Sequence, residues 1–448
     1  MHPAVALTIA GSDPSSGAGI QADLKAFHYL GVHGTTVITA LTAQNTQTVT
    51  AIYPLTPTQI ATQLTTLLDD LSITAVKTGM LHNKDTVTTV AHILTDHHLT
   101  PIVDPVMTAT SGARLADHTL TDALRTHLLP HTLLLTANIS EAGALLNTTI
   151  RSLKDAKEAC HSLADLGPQT VLIKGGHLKG PQATDLFYDG TTLHELSLPR
   201  LPQKKAHGSG CTLAALITGL LAQHTPLADA VPQAKRILWA MINEGYTPGK
   251  GADVLNTHTT IMVPPDLPTP EHAHVWCQLH NMLHPLLSIL PVSSIPEVGI
   301  NIAYAIPQAT TPRDVCALQG RIIRAGHQPL RCGTLTFGGS KHVASIVLAA
   351  MTHDPEMRTA MNLRYTEETL TLATTNELTT ATFDRALEPP TATSTMDWGT
   401  KTAIQTLGTT PDLIYDHGGP GKEPMIRLLA RTPQDLATKL RFISPGKT

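Results

Sequence analysis

Between Ala4 and about Val254, short apolar runs alternate with longer amphipathic stretches: VALTIA, then QADLKAFHYLG, then TTVITALTAQ, and later AVKTG, PIVDPV, TLLLTAN and TVLIKGG. This strand, helix, strand rhythm predicts a mainly parallel sheet covered by helices. After Gly251 the pattern breaks, and prolines 264, 265, 268 and 270 keep the segment 257–270 out of regular helix. Glu271–Leu290 then reads as a helix, since Val275, Leu279, Leu283 and Leu287 recur every four residues, with a bend expected at Pro285. From Ile295 onward a second α/β pattern begins. The expected fold class is therefore α/β: a first domain over 1–256, a Pro-rich linker over 257–270 and a smaller α/β domain over 271–448.

Composition narrows the function classes. The 448 residues carry 31 Lys+Arg against 35 Asp+Glu, a net charge of −4, so the chain lacks the cationic field that a nucleic-acid backbone requires. Three Trp, five Phe and seven Tyr are too few for single-strand stacking platforms. No apolar stretch reaches the ~18–20 residues that span a bilayer. Five cysteines without a CxxC pair suggest a reducing cytosol, so a cytoplasmic protein is expected, and the composition argues for small-molecule chemistry or binding. His272, His274, His280 and His284 crowd one helix, but no oxygen or sulfur partner recurs at a metal-binding spacing.

In the first domain the chemistry-bearing residues follow apolar runs, near the carboxyl edge of a parallel sheet, where ligands bind. Gly11-Ser12-Asp13-Pro14-Ser15-Ser16-Gly17-Ala18-Gly19 is a flexible turn between a strand and a helix, and no GxxxxGK[ST] phosphate loop exists in the chain. Thr42-Ala43-Gln44-Asn45 places amides at a strand end, where they can read a heterocycle's donor and acceptor edge. Asp104, and Glu141 three residues after Asn138, supply carboxylates at neighbouring strand ends, a set suited to Mg²⁺. His207-Gly208-Ser209-Gly210-Cys211-Thr212 opens an apolar helix, so its backbone N–H groups predict an anion hole, and the helix dipole predicts a lowered thiol pKa at Cys211. Singly, each motif also fits a turn, a cap or a packed small residue.

Taken in order, AGSDPSSGAGIQADLKAF, ALTAQNT, VKTGML, DPVM, TAN-x-x-E, IKGGH and GSGCTL closely resemble the hydroxymethylpyrimidine/phosphomethylpyrimidine kinases of the ribokinase-like superfamily, over about residues 5–250. Cys211 stands where most sugar kinases of that superfamily carry an aspartate. The resemblance implies ATP and Mg²⁺ as cofactors and two successive phosphorylations of 4-amino-5-hydroxymethyl-2-methylpyrimidine. It implies Cys211 as base or activating group, with Gly208, Ser209 and Gly210 stabilising the phosphoryl oxygens. Gln44, Asp23 and Met80, with Gly11 and Val106, would hold the pyrimidine; Asp104 and Glu141 the metal; and Lys174, Asn138 and Thr212 the nucleotide. A pyridoxal-type kinase is the alternative within the fold, and a dimer is the expected assembly.

The second half carries two further glycine-rich helix starts, Phe337-Gly338-Gly339-Ser340-Lys341-His342 and Asp416-His417-Gly418-Gly419-Pro420-Gly421-Lys422. With Arg321, Lys341, Arg364 and Lys422 they suggest one site for more than one phosphate. PEVGINIAYA, QGRI, FGGSKHVA, MNLRY, STMDWG and DHGGPGKEPMIR resemble the archaeal thiamine-phosphate synthase domain fused to such kinases, over about residues 270–440. That resemblance implies catalytic or pyrophosphate roles for Arg321 and His342, and substrate contacts from Asn301, Ser340, Lys341, Arg364 and Lys422. The implied partners are hydroxymethylpyrimidine and its phosphates together with hydroxyethylthiazole phosphate. Related domains also act as thiamine-phosphate sensors, so a binding-only second half is the other-class alternative.

Overall fold

The computed structural model describes residues 3–109, 111–177, 180–201, 206–257, 267, 269–391 and 394–444. The chain forms two compact units, Met1–Val263 and Pro264–Thr448. The Pro-rich stretch 257–270 lies largely outside the described residues.

The first unit is built on a nine-stranded sheet in the order β3-β2-β1-β4-β5-β6-β7-β8-β9. Its strands are β1 (Val5–Ser12), β2 (His33–Gln44), β3 (Val49–Pro54), β4 (Ala75–Thr78), β5 (Ile102–Val103), β6 (Leu134–Asn138), β7 (Thr170–Lys174), β8 (Gln182–Tyr188) and β9 (Leu193–Pro199). The six from β2 to β7 run parallel, and antiparallel hairpins add β3 at one edge and β8 and β9 at the other. Helices α1 (Gly19–Tyr29), α2 (Pro57–Asp70), α3 (Lys84–Asp96), α4 (Leu120–Ala123), α5 (Ile139–Leu146), α6 (Leu153–Ala164), α7 (Ser209–Ala222) and α8 (Leu227–Asn243) cover it.

Strand alternation sorts the two faces. Leu7 and Ile9 of β1 enter the core with Ile60 and Leu64 of α2 and Val87 and Val90 of α3. Thr8, between them, turns the other way and donates to Asp23 of α1 at 2.7 Å. Helix α7 is buried along nearly its whole length, from Thr212 to Ala222, which is why its sequence is apolar all round. Gly219 lets α1 approach, since a Cβ there would stand 2.7 Å from Leu30. A short parallel pair, β10 (Ala206–His207) and β11 (Asp253–Val254), leads into α7.

In the second unit β12 (Ile302–Ala305), β13 (Val315–Leu318), β16 (Leu335–Phe337), β17 (Thr359–Arg364), β18 (Thr380–Thr382), β19 (Leu413–Asp416) and β20 (Met425–Ala430) form a seven-stranded sheet, order β16-β13-β12-β17-β20-β19-β18. Only β18 and β19 pair in parallel. A separate hairpin joins β14 (Arg321–Ala325) to β15 (Gln328–Cys332). The helices are α9 (Pro270–Ile289), α10 (Lys341–Met351), α11 (Glu367–Thr375), α12 (Thr395–Leu407) and α13 (Pro433–Ile443). In α10, Val343, Ile346 and Val347 share a core with Ala303, Ala360 and Leu429 of the sheet and Ile404 of α12.

Two of the four histidines of α9 pack, while His274 and His284 are exposed. His272 is buried with Nδ1 2.9 Å from Thr269 Oγ1 and its ring 4.5 Å from Phe337, and His280 stacks on Trp276 at 4.6 Å. Among the described residues no group of three His, Cys, Asp or Glu is placed to hold a metal ion, and no helix is long and apolar enough to cross a membrane.

Candidate active site

The carboxyl edge of the parallel sheet opens into a cleft of about 860 Å³ that gathers residues from both ends of the first unit. At its centre α7 begins. Gly208 holds φ +76°, and a Cβ there would come within 1.9 Å of Gly17 O, so the helix start can seat against the loop Ser12–Ala18 only as glycine. A Cβ on Gly210 would stand 3.1 Å from Lys174 Nζ and 3.8 Å from Asp104 Oδ2. The helix N-terminus therefore faces a charged cluster at close range. Lys174 Nζ lies 2.7 Å from Asp104 Oδ1 and 3.7 Å from Glu141 Oε2. Glu141 and Asn138 form a reciprocal cap on α5, with Asn138 N donating to Glu141 Oε2 at 2.7 Å.

Electrostatics differ between the members. Burial pushes Glu141 up to about 7; Lys174 opposes the shift and Asp104 adds to it. Burial works against the charge of Lys174, yet Asp104 and Glu141 hold its pKa above the ordinary value. Cys211 lies half-buried on the cleft wall, and the lowered thiol pKa expected from the helix dipole is reversed: burial pushes it up to about 12. Lys77 and the backbone N–H of Gly19 pull the other way without prevailing.

Gly11, Gln44, Met80 and Val106 line one end of the cleft. Gly11 packs closely on Met80, whose Sδ would be 2.9 Å from an added Cβ and would have to shift to admit it. Asp23, read as a pyrimidine contact, is not on this wall. Its position four residues into α1 turns it inward, where Oδ2 pairs with the fully buried Lys77 at 2.8 Å and Oδ1 has no partner among the described residues. Thr212, read as a nucleotide contact, is likewise buried, because one step along a helix rotates a side chain about 100° away from its neighbour Cys211. The other end of the cleft is apolar, with Leu201, Leu238 and Trp239 beside Lys235, which bonds Asp185 at 2.7 Å.

Asp13 and His207 also belong to the cleft, although sequence reasoning assigned them no role. His207 Nε2 lies 3.1 Å from Asp13 Oδ2 and 3.0 Å from Gln44 Nε2. Both residues stand inside quoted motifs, and the signal was the acid and the imidazole flanking the two glycine-rich turns.

The second unit separates residues that the sequence suggested would act as one site. Gly338 N donates to Val315 O at the start of β13, which places Ser340, Lys341 and His342 at that end of the sheet. Asn301 bonds Leu318 and Gly320 at the finish of β13, the end where Arg321 begins β14, β17 finishes at Arg364, and the loop bearing Lys422 leads into β20. The antiparallel return from β13 to β16 is the reason. Asn301 is itself 1% exposed with its amide spent on the β12–β13 junction, so it clamps backbone and is not a free ligand. Ser340 Oγ, at the head of α10, is buried without a partner among the described residues. Near Arg364, the rings of Tyr365, Tyr415 and His417 lie 5.2–5.8 Å apart. Arg427 is buried against Asp416 at 2.6 Å, and Arg385 pairs with the same carboxylate at 2.6 Å.

Comparison with known proteins adds independent findings. A family described as phosphomethylpyrimidine kinase matches residues 13–256, and a second, thiamine-phosphate synthase ThiN, matches residues 278–441. The bifunctional thiamine biosynthesis protein ThiDN of Methanocaldococcus jannaschii is 32% identical over 98% of this chain and 98% of its own length. A hydroxymethylpyrimidine/phosphomethylpyrimidine kinase of Rhizobium meliloti is 45% identical over 54% of this chain and 91% of its own. The thiamine biosynthesis bifunctional protein ThiED of Geobacter sulfurreducens is 42% identical over 56% of this chain, a match that spans about half (51%) of that protein. Among solved structures, a Staphylococcus aureus pyridoxal kinase in complex with AMP-PCP and pyridoxal superposes with TM-score 0.54 at 33% identity, covering 57% of this chain and 94% of that one.

Proposed function

The chain belongs to the bifunctional family in which a phosphomethylpyrimidine kinase is joined to a ThiN thiamine-phosphate synthase domain, and from that premise we propose how its residues divide the work of thiamine biosynthesis. The observation that carries the kinase assignment is the meeting, in one cleft, of the α7 N-terminus, the Lys174–Asp104–Glu141 cluster and the amide of Gln44. The alcohol of hydroxymethylpyrimidine lies at the Gln44 end beside Cys211, and ATP extends from α7 toward Trp239. The alcohol oxygen bonds to the γ-phosphorus, the bond from that phosphorus to the ADP oxygen breaks, and the alcohol proton passes to a phosphate oxygen, while Cys211, a neutral thiol in the substrate-free cleft, orients the alcohol oxygen as the activating group. Backbone N–H groups of Gly208 to Cys211 meet the transferring phosphoryl oxygens, and Lys174 offsets their charge. A second round converts the monophosphate to the diphosphate.

The donor set fits Mg²⁺. Asp104 and Glu141 bring carboxylate oxygens together around Lys174, a set of oxygen ligands suited to a hard cation, and burial, with Asp104 adding to it, raises Glu141. When bound, the ion neutralises charge across the nucleotide phosphates.

The second unit condenses two phosphate-bearing substrates, and its candidate anion-binding residues fall at the two ends of its sheet. We assign the pyrimidine diphosphate to the end with Arg321, Arg364 and Lys422, where the cations match the greater charge. Hydroxyethylthiazole phosphate goes to Ser340, Lys341 and His342 at the head of α10, whose buried hydroxyl and backbone N–H groups suit a monophosphate. With each phosphate held at its own end, the two heterocycles extend toward each other so that the thiazole nitrogen attacks the pyrimidinyl methylene as the bond to pyrophosphate breaks. The test is mass spectrometry over time on one mixture of protein, hydroxymethylpyrimidine, ATP, Mg²⁺ and hydroxyethylthiazole phosphate. Thiamine phosphate is expected; diphosphate accumulating without it would leave the second unit as a binding module.

A further inference from the structure

The contact between Asp13, His207 and Gln44 holds a chemical constraint that the distances alone do not state. Asp13 is 3% exposed, and its Oδ2 accepts from Ala18 N at 2.8 Å and Gly17 N at 3.2 Å, while its Oδ1 accepts from Ser15 N at 2.8 Å and Ser15 Oγ at 2.7 Å. Burial favours its neutral form, but the hydrogen bonds from His207, Ser15 and Ala18 outweigh burial and hold the acid below its ordinary range. An acid surrounded by donors is a carboxylate. The ring nitrogen 3.1 Å from it, His207 Nε2, must therefore carry a hydrogen, because a lone pair there would face an anionic oxygen.

That hydrogen settles the neighbour. Gln44 places its amide 3.0 Å from the same Nε2, and an N–H facing an N–H makes no bond. The amide meets that hydrogen only with Oε1 toward His207, as the second acceptor of a bifurcated bond whose first acceptor is Asp13 Oδ2. Its NH₂ then turns to Thr42 Oγ1, which stands 3.4 Å from the other amide position. Thr42 can receive it, since its single proton already goes to Ser12 O at 2.9 Å. The imidazole packs closely on Gly17, where an added Cβ would come within 2.2 Å of Cδ2.

We propose that Asp13 and His207 are positioning residues that lock the orientation of the Gln44 amide, and so fix the order of acceptor and donor that the cleft accepts on the edge of its heterocyclic substrate. An aminopyrimidine presents a ring-nitrogen acceptor beside an amino donor. Its 4-oxo analogue, of nearly the same shape, presents a ring N–H beside a carbonyl, the reverse order, and pairs only with a rotated amide. The locked amide rejects it; an unlocked one turns to accept it.

This inference rests on the kinase reading, and the experiment separates the two. The ratio of kcat/KM for the 4-amino alcohol over the 4-oxo alcohol is measured in the wild-type protein, in His207→Leu and His207→Phe, which lack the donor, and in His207→Gln, whose amide N–H groups can serve both Asp13 and Gln44. Both alcohols cross the same phosphoryl site, so a general loss of activity cancels in the ratio. The wild type should favour the amino compound at least about a hundredfold, as a site built on buried hydrogen bonds does. H207L and H207F should lose most of that preference, chiefly through KM, and H207Q should regain it. A wild type inert toward both alcohols overturns the kinase reading and this one with it. A wild-type-like ratio in H207L or H207F overturns the lock alone.

Discussion

A residue's neighbours, more than its motif, decide what it does here. Cys211 sits at a helix N-terminus, which by itself lowers a thiol pKa, yet burial wins and raises it to about 12. In the substrate-free protein Cys211 should react with iodoacetamide at pH 8 at least about a hundredfold more slowly than an exposed cysteine, read by peptide mass spectrometry. Fast labelling would show the thiol ionised before substrate arrives. Asp416 illustrates the opposite balance: burial raises its pKa, but hydrogen bonds and charge from Arg385 and Arg427 hold it below its ordinary value of 3.8. A depressed acid stabilises the fold above its unfolded pKa and loses that stabilisation as pH falls through its folded one. Acid unfolding of the second unit should accordingly begin below about pH 4 and flatten in Asp416→Asn, which should cost about 3–5 kcal/mol at pH 7 by leaving Arg427 buried and unpaired. Circular dichroism against pH checks both. That Gln44, Lys174, Asp104 and Glu141 meet in one cleft was legible because each ends or follows a strand, and strand ends converge. Asp23 and Thr212 were not, because words in a motif do not say which way a helix turns them.

At the level of elements, the strand and helix rhythm carried most of the first unit: TTVITALTAQ is the latter part of β2, TLLLTAN ends β6 and TVLIKGG opens on β7. The second unit was legible as α/β but not in its connections. Its strands are short and mostly antiparallel, so the two glycine-rich turns finish at opposite ends, a result of register that no local pattern records. Substitutions there should split by substrate. Arg321→Ala should raise KM for the pyrimidine diphosphate about tenfold or more, and Ser340→Ala that for the thiazole phosphate, each leaving the other nearly unchanged. Steady-state kinetics of condensation decide it, and equal effects on both would mean a single shared site. In the first unit, Gly208→Ala should destabilise the α7 start by at least about 1–2 kcal/mol, from the left-handed backbone alone, and reduce phosphorylation more than a hundredfold, since the loop carrying Gly17 must retreat. Thermal melting and kinase assays measure the two effects separately.

On the scale of the whole molecule, two units with separate cores should unfold in two steps. Calorimetry should show Asp416→Asn shifting only the second unit's transition, with phosphorylation, assayed alongside, persisting through that transition and ending with the first unit's; a single cooperative melt would contradict the division. Because both activities occupy one polypeptide, every ribosome that makes the producer of the diphosphate also makes its consumer. Their abundance ratio is fixed by translation at one to one, so gene dosage and promoter strength scale total flux without changing the balance. The standing pool of that reactive intermediate is left to the relative turnover of the two sites and to the supply of thiazole phosphate.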